Sequence, residues 1–316
     1  MTLLNYLDHR FLGGRNVSLI KLPFGAGQKK AGVEEAPEYI MNSGVDKDLK
    51  KLGYNVEVVD VPELKKAPAE EGPSSKQLYR PLYVSTACQR AKNVIAGELS
   101  KGSAVVNIGG DHSLGIATVS AVQEVHPTSC LLWIDAHADI NTPDSSPSGN
   151  LHGCPVSLVL GYAKPVPPEF EWVKTCIDSG RVAYIGLRDV DPGERMLLRQ
   201  HNIPFFTMHH VDKYGIGRVV EMAMAAINPD NLRPTHLSVD VDSVDPSIVP
   251  ATGTRVKGGL TFREIMYICE AVAETRTLVA LDVVEVNPLL SDKEGCESTI
   301  SVARSVIRTS FGLQLV

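Results

Sequence analysis

Aromatic residues are scarce in this chain, and so are the features that would tie it to a membrane, a nucleic acid or an oxidising compartment. Tryptophan, tyrosine and phenylalanine together make up 6% of its 316 residues. No apolar run approaches the ~20 residues needed to cross a bilayer, and the N-terminus does not read as a charged-then-apolar leader, so no membrane partner is expected. There is no polybasic run, and acids exceed bases for a net charge of −6, which argues against a nucleic-acid partner. The six cysteines, Cys88, Cys130, Cys154, Cys176, Cys269 and Cys296, are scattered without a CxxC pair in a chain too long to need covalent staples. They read as reduced thiols, mostly core. These absences leave a cytoplasmic protein with 43% hydrophobic residues, able to bury a large core and to act on a small partner. One domain over residues 1–316 is expected, without internal repeats.

The apolar runs that are present are short and regular. Val17–Leu22, Tyr54–Val59, Ala104–Ile108, Cys130–Ile134, Val182–Ile185, Pro204–Phe206, Thr235–Val239 and Leu278–Val284 read as strands, several rich in β-branched residues. Helix-length segments lie between the later ones, including Val84–Glu98, Ser113–Glu124, Ile216–Ile227, Phe262–Ala273 and Thr299–Ser310. Strand and helix alternating in this way predict an α/β fold, a three-layer α/β/α domain around a mostly parallel sheet of about eight strands. Pro62–Gln77 and Pro165–Phe170 read as surface loops.

Several of these strands run directly into reactive residues. Cys130–Ile134 precedes Asp135-Ala-His137-Ala-Asp139, and Thr235–Val239 precedes Asp240-Val-Asp242. In an extended chain residues i, i+2 and i+4 share a face, so each set is expected to converge at a strand's C-terminal end, where open α/β sheets carry their sites. Ala104–Ile108 leads into Gly109-Gly-Asp-His112-Ser113, Val182–Ile185 into Gly186-Leu-Arg188-Asp189-Val-Asp191, and Leu278–Val284 into Glu285. A single Asp or His after a strand is usually a helix cap or a satisfied loop residue. Five carboxylates and two imidazoles at one rim are different, because like charges repel unless a cation is bound. The set His112, Asp135, His137, Asp139, Asp240, Asp242 and Glu285 therefore reads as a binuclear metal centre. His9, His126, His201, His209, His210 and His236 lack that spacing and read as structural. The loop Gly25–Gly32 lacks the P-loop and dinucleotide spacings and reads as a rim loop.

Taken in order, Gly109-Gly-Asp-His-Ser113, Asp135-Ala-His-Ala-Asp-Ile-Asn141, Ser148-Gly-Asn-Leu-His-Gly153, Gly186-Leu-Arg-Asp-Val-Asp-Pro-Gly-Glu194 and Ser238-Val-Asp-Val-Asp-Ser-Val-Asp-Pro246 resemble the signatures of the arginase family. The likeness runs from Gly32-Val-Glu-Glu-Ala-Pro37 to Glu285-Val-Asn-Pro288. It implies the ureohydrolase fold, two Mn²⁺ ions per subunit, a homotrimer, and hydrolysis of L-arginine to L-ornithine and urea by attack of a hydroxide shared between the metals on the guanidinium carbon. Carried over by position, the first ion would be held by His112, Asp135, Asp139 and Asp240, the second by His137, Asp135, Asp240 and Asp242. A carboxylate-rich set with one imidazole per ion and no thiolate also favours Mn²⁺ chemically.

By the same resemblance Asp139 relays a proton to the leaving amine, His152 is a proton shuttle or acid/base group, Glu285 pairs with the guanidinium and orients it, and Thr254 is a hydroxyl near the cluster. Asn141, Ser148 and Asn150, with Ser146 through water, would receive the α-carboxylate; Asp191 and Glu194 would receive the α-ammonium. An agmatinase or other guanidino ureohydrolase is the alternative, and a catalytically inactive amino-acid-binding relative a lesser one. Three departures from the family pattern stand out, covering four positions. Thr252-Gly-Thr-Arg255-Val-Lys257 brings two cations toward the metal rim, Leu315 falls where animal arginases carry an interfacial arginine, and Lys30 occupies the rim loop where relatives carry arginine.

Overall fold

A computed structural model describes residues 10–11, 14–65, 78–174 and 176–314. Eight strands form one parallel sheet: β1 (Asn16–Lys21), β2 (Asn55–Asp60), β3 (Ala104–Ile108), β4 (Cys130–Ile134), β5 (Val182–Leu187), β6 (Phe205–Thr207), β7 (Thr235–Asp240) and β8 (Leu278–Val284). Their spatial order is β2-β1-β3-β8-β7-β4-β5-β6, and every pairing is parallel. The eight strands expected from sequence are all present, three with the expected boundaries and the rest with boundaries moved by at most two residues. β3, β4, β5, β7 and β8 are buried along their whole length, as strands covered on both faces must be. The edge strand β2 is largely exposed instead.

Helices cover both faces. α1 (Ala36–Asn42), α2 (Val45–Lys51), α7 (Met208–Ile227), α8 (Phe262–Thr275) and α9 (Lys293–Ser310) pack on one side. α3 (Pro81–Ser100), α4 (Gly115–Val125), α5 (Pro155–Val159) and α6 (Pro192–Gln200) pack on the other. The predicted helix from Ile216 is the second part of α7, which bends at Gly215, where φ is +76°. The short helices α1, α2, α5 and α6 give too few turns for periodicity to reveal them. Pro165–Phe170 is a loop as expected, closed by a single helical turn over Pro168–Phe170. Of the loop expected at 62–77, residues 62–65 form a turn; the rest, like His9 and Leu315, lies outside the described residues.

The sheet order explains where the site forms. The chain lays β4, β5 and β6 outward along one half, then returns to insert β7 and β8 in the middle, between β3 and β4. The strand ends carrying the chemistry thus become five neighbours in space, β3-β8-β7-β4-β5. Gly110 permits the tightest approach beside them: a Cβ there would stand 1.5 Å from the carbonyl oxygen of Phe24. That approach lets the Asp111 N–H donate to Phe24 at 3.0 Å, bringing the rim loop Gly25–Gly32 over the end of β3.

Candidate active site

Asp135, His137 and Asp139 converge, but not by extending the strand. β4 ends at Ile134, and β7 gives way after Asp240 to a helical turn, Val241–Ser243. Instead, the first carboxylate of each motif turns the backbone onto itself. Asp135 Oδ1 accepts the His137 N–H at 2.7 Å and Asp240 Oδ1 the Asp242 N–H at 2.8 Å. Asp111 Oδ1 does the same for Ser113 at 3.0 Å. The i, i+2 spacing thus records an aspartate turn, which corrects the expected alternation of an extended chain. Asp139 and Glu285 then adopt left-handed backbone conformations, with φ of +50° and +63°. For Glu285 this costs about 1–2 kcal/mol, and its N–H donates to Gly110 at 2.9 Å.

Two groups of ligand-type atoms result. His112 Nδ1 lies 3.2 Å from Asp135 Oδ2, 3.1 Å from Asp139 Oδ2 and 3.4 Å from Asp240 Oδ2. His137 Nδ1 lies 3.3 Å from Asp135 Oδ1 and 3.2 Å from Asp242 Oδ2. Asp135 presents one oxygen to each group. Edges of about 3.0–3.4 Å are those of donors surrounding a cation bonded at about 2.1 Å. His112 Nδ1 is buried without a hydrogen-bond partner despite the three nearby oxygens, while its Nε2 meets Ser238 Oγ at 3.0 Å. A neutral imidazole donating to Ser238 would turn its Nδ1 lone pair toward three carboxylates, which is repulsive unless a proton or a metal cation stands between them.

Electrostatics point the same way. Burial, then Asp242 and Asp135, hold Asp240 well above the usual carboxylate range, and burial with Asp135 pushes Asp242 up to about 6. Burial and Asp135 also raise Asp139. Burial opposes charge on His112, but Asp135, Asp139 and Asp240 overcome it and raise the imidazole well above its usual value. The cluster is short of positive charge, and these donors fit divalent cations.

Trp133 supports this cluster from below. Its indole stacks on His112 at 3.9 Å with the rings 10° from parallel, and its N–H donates to Asp135 Oδ2 at 3.0 Å. Sequence reasoning passed over Trp133 and Ser238 because both look like ordinary strand residues. Metal-ligating groups depend on such hydrogen bonds for orientation.

Above the cluster opens a cavity of ≈170 Å³. His137, Asp139, Asp240, Asp242 and Glu285 line it together with Asn141, Ser146, Ser148, His152, Asp191, Glu194 and Thr254. His112 and Asp135 are almost fully buried and do not line it. Asn150 is not brought into the lining either: its N–H turns back to Ser148 Oγ at 3.2 Å. Asp189 lines the cavity and was missed as a site residue, although it stands in the motif with Asp191.

Many wall residues already hold one another. Asn141 Nδ2 donates to Asp191 at 2.9 Å, and Asn141 Oδ1 accepts from Ser145 at 2.8 Å. Glu194 accepts the N–H groups of Ile140 at 3.1 Å and Asp191 at 2.9 Å, capping α6. Burial pushes Glu194 up to about 8.

Glu285 is the hub. Oε1 accepts the His112 N–H at 2.9 Å and meets His152 Nδ1 at 3.0 Å, while Oε2 accepts Gln28 Nε2 at 2.7 Å. Gln28, 4% exposed, was read only as part of a rim loop. Burial works against ionisation of Glu285, and His152 outweighs it, holding the carboxyl below its usual value. Conversely, burial would lower His152, but Glu285, with Asp139 and Asp111 beyond it, raises it to about 9.

Of the positions that depart from the family pattern, Arg255, Lys257 and Lys30 lie among the described residues. Arg255 turns away to the carbonyl of Leu290, and neither it nor Lys257 lines the cavity. Lys30 reaches the carbonyl of Gly253, tying the rim loop to the segment bearing Thr254. His236 is structural, as expected, paired with buried Asp282 at 2.8 Å.

Fold and site define an α/β enzyme with a cluster able to hold metal ions. The family model described as Arginase family matches residues 15–312. An arginase of Schizosaccharomyces pombe is 58% identical over 307 residues, covering 97% of this chain and 95% of its own. The solved arginase of Bacillus caldovelox superposes with a TM-score of 0.88 at 34% identity, covering 96% of this chain and 100% of that one. The Entamoeba histolytica arginase, solved in complex with L-ornithine, gives 0.83 at 28% identity over 95% or more of both chains (96% and 100%). The chain belongs to the arginase family and is a hydrolase.

Proposed function

We propose that this chain hydrolyses L-arginine to L-ornithine and urea with two manganese ions. The observation that carries this reading is an acidic cavity whose floor is the carboxylate–imidazole cluster and whose far wall offers hydroxyls, an amide and further carboxylates. Arginine is the complementary shape of charge: a guanidinium for the floor, and an ammonium and carboxylate for the wall. The complex of the Entamoeba relative with L-ornithine supports a product of this kind.

His112, Asp135, Asp139 and Asp240 would hold one ion, and His137, Asp135, Asp240 and Asp242 the other. Bound there, the ions would make hydroxide available near neutral pH, the nucleophile that a resonance-stabilised guanidinium carbon demands. The remaining work falls to the chain. A carboxylate has about four acceptor sites; Glu285 uses three, for His112, His152 and Gln28, leaving one to draw in a guanidinium N–H. His152, whose protonated form Glu285 favours, can give a proton to the departing amine, and Asp139 can pass the same nitrogen a proton that began on water. Asn141, Ser146, Ser148 and Thr254 would position the substrate, with Asp191 and Glu194 on the ammonium side. The role expected of Asn150 would have to be exercised through its backbone or after a change of side-chain position.

An agmatinase shares the floor but has no α-carboxylate to recognise, and the polar loop at 141–148 argues for arginine. Urea release from L-arginine by manganese-reconstituted protein tests the reading. The same proposal makes the chain one catalytic domain, cytoplasmic and trimeric. Among the described residues no helix is long and apolar enough to cross a membrane. Fractionation and light scattering test the last two points; a monomer with full activity would reject the trimer alone.

A further inference from the structure

A second cleft, of ≈290 Å³, lies on the outer side of the rim loop. Its chemistry is opposite to that of the active site. Lys29, Lys30, Lys65 and Arg80 line it, against the single carboxylate of Glu34, in a chain whose net charge is −6. Among the described residues none of these four cations forms an ion pair with a carboxylate. Glu34 is partly spent on the Gly32 N–H, which it accepts at 2.9 Å.

The cations are held rather than splayed. Lys29 Nζ and the Arg80 guanidinium stand 5.7 and 4.9 Å from the centre of the Tyr79 ring. The Tyr83 hydroxyl donates to the carbonyl of Lys65 at 2.7 Å. The 20-residue helix α3 begins at Pro81 with no side-chain cap from Arg80, so its positive end adds to the same field. A concave surface with one sign of charge concentrates counter-ions.

Three bonds join this cleft to the active site. Gln28 lines the cleft and donates to Glu285 Oε2 at 2.7 Å. Lys30 holds the carbonyl of Gly253, next to Thr254. The Tyr79 N–H donates to Gly149 at 2.8 Å, within the loop that carries Ser148. We propose that the cleft binds a small multivalent anion, a phosphate ester or polycarboxylate, and that its occupancy is transmitted through the rim loop to Glu285 and the substrate loop. The volume lies at the lower end of small-molecule pockets, about 300 Å³, and suits a three- to six-carbon anion better than a nucleotide. The binding claim stands by itself; the transmission rests on the arginine reading.

The test is calorimetry on the manganese-loaded full chain at low salt, with 3-phosphoglycerate and tricarballylate as probes, glycerol as the neutral control, and L-ornithine saturating the active site. At least one anion should bind once per chain below about 1 mM, weakening as salt rises, and the stronger probe identifies phosphate or carboxylate as the chemistry recognised. A Lys29→Glu/Lys65→Glu variant should retain urea release without anion and lose binding by about tenfold or more, roughly 1.4 kcal/mol. Binding by neither anion, or binding equal in the variant, overturns the site. For transmission, the bound anion should shift KM for L-arginine, and Gln28→Ala should abolish the shift while calorimetry still shows binding. An unchanged KM shift in Gln28→Ala overturns transmission through Gln28; failure of arginine turnover altogether, with anion binding intact, rejects the arginine reading instead.

Discussion

His152 Nδ1 stands 3.0 Å from Glu285 Oε1, and each residue sets the ionisation of the other. Burial alone would strip the proton from His152; Glu285 restores it, to about pH 9. In metal-free protein an NMR titration should place His152 near that value. Glu285→Gln should bring it to or below the ordinary value of about 6.5, because only burial remains dominant. The raised value also fixes a stability trend: this group's contribution is fully present below pH 6.5 and is lost as pH rises through 9. Glu285→Gln should flatten that part of the stability profile, and an unmoved His152 would remove Glu285 as its partner.

Metal stoichiometry tests the cluster. Manganese-reconstituted protein should contain two ions per chain by elemental analysis, and chelation followed by Mn²⁺ should remove and restore turnover. Asp135 faces both imidazoles, so Asp135→Ala should reduce metal affinity by about a hundredfold or more, beyond the ten- to hundredfold typical of supporting residues. His112→Asn, which removes one terminal donor, should cost less. One ion or none in the reconstituted wild type would contradict the binuclear reading.

Trp133 should behave as a support for the metal site. Trp133→Phe keeps a ring against His112 but removes the N–H that Asp135 Oδ2 accepts. The expected result is roughly tenfold weaker metal binding in a competition assay, with excess Mn²⁺ restoring turnover. Wild-type metal affinity in this variant would reduce Trp133 to packing.

Much of this arrangement was legible in the sequence because the fold announces it locally. Short apolar runs marked all eight strands, and the residues following them marked the cluster. The reason given for convergence was wrong in detail, since alternation along a strand and an aspartate turn both select the spacing i, i+2. Gln28 and Ser238 act through hydrogen bonds to residues 257 and 126 positions away, which no local pattern betrays, while Trp133 lies two residues from Asp135 but reads as an ordinary strand residue. The chain separations also hid where Arg255 points: toward Leu290 rather than the cavity.

Relative rates on L-arginine and agmatine test the central claim most directly, because both substrates present the same guanidinium to the floor. Only arginine has an α-carboxylate, the group we propose that the loop bearing Asn141, Ser146 and Ser148 receives. Charge-assisted hydrogen bonds contribute about 1.5–3 kcal/mol each, so losing two predicts a penalty of roughly two powers of ten or more in kcat/KM. Both substrates should be assayed under identical Mn²⁺ conditions with urea release as the readout. A preference for L-arginine of about a hundredfold or greater is the predicted result; comparable kcat/KM values, or no urea from L-arginine, would contradict it.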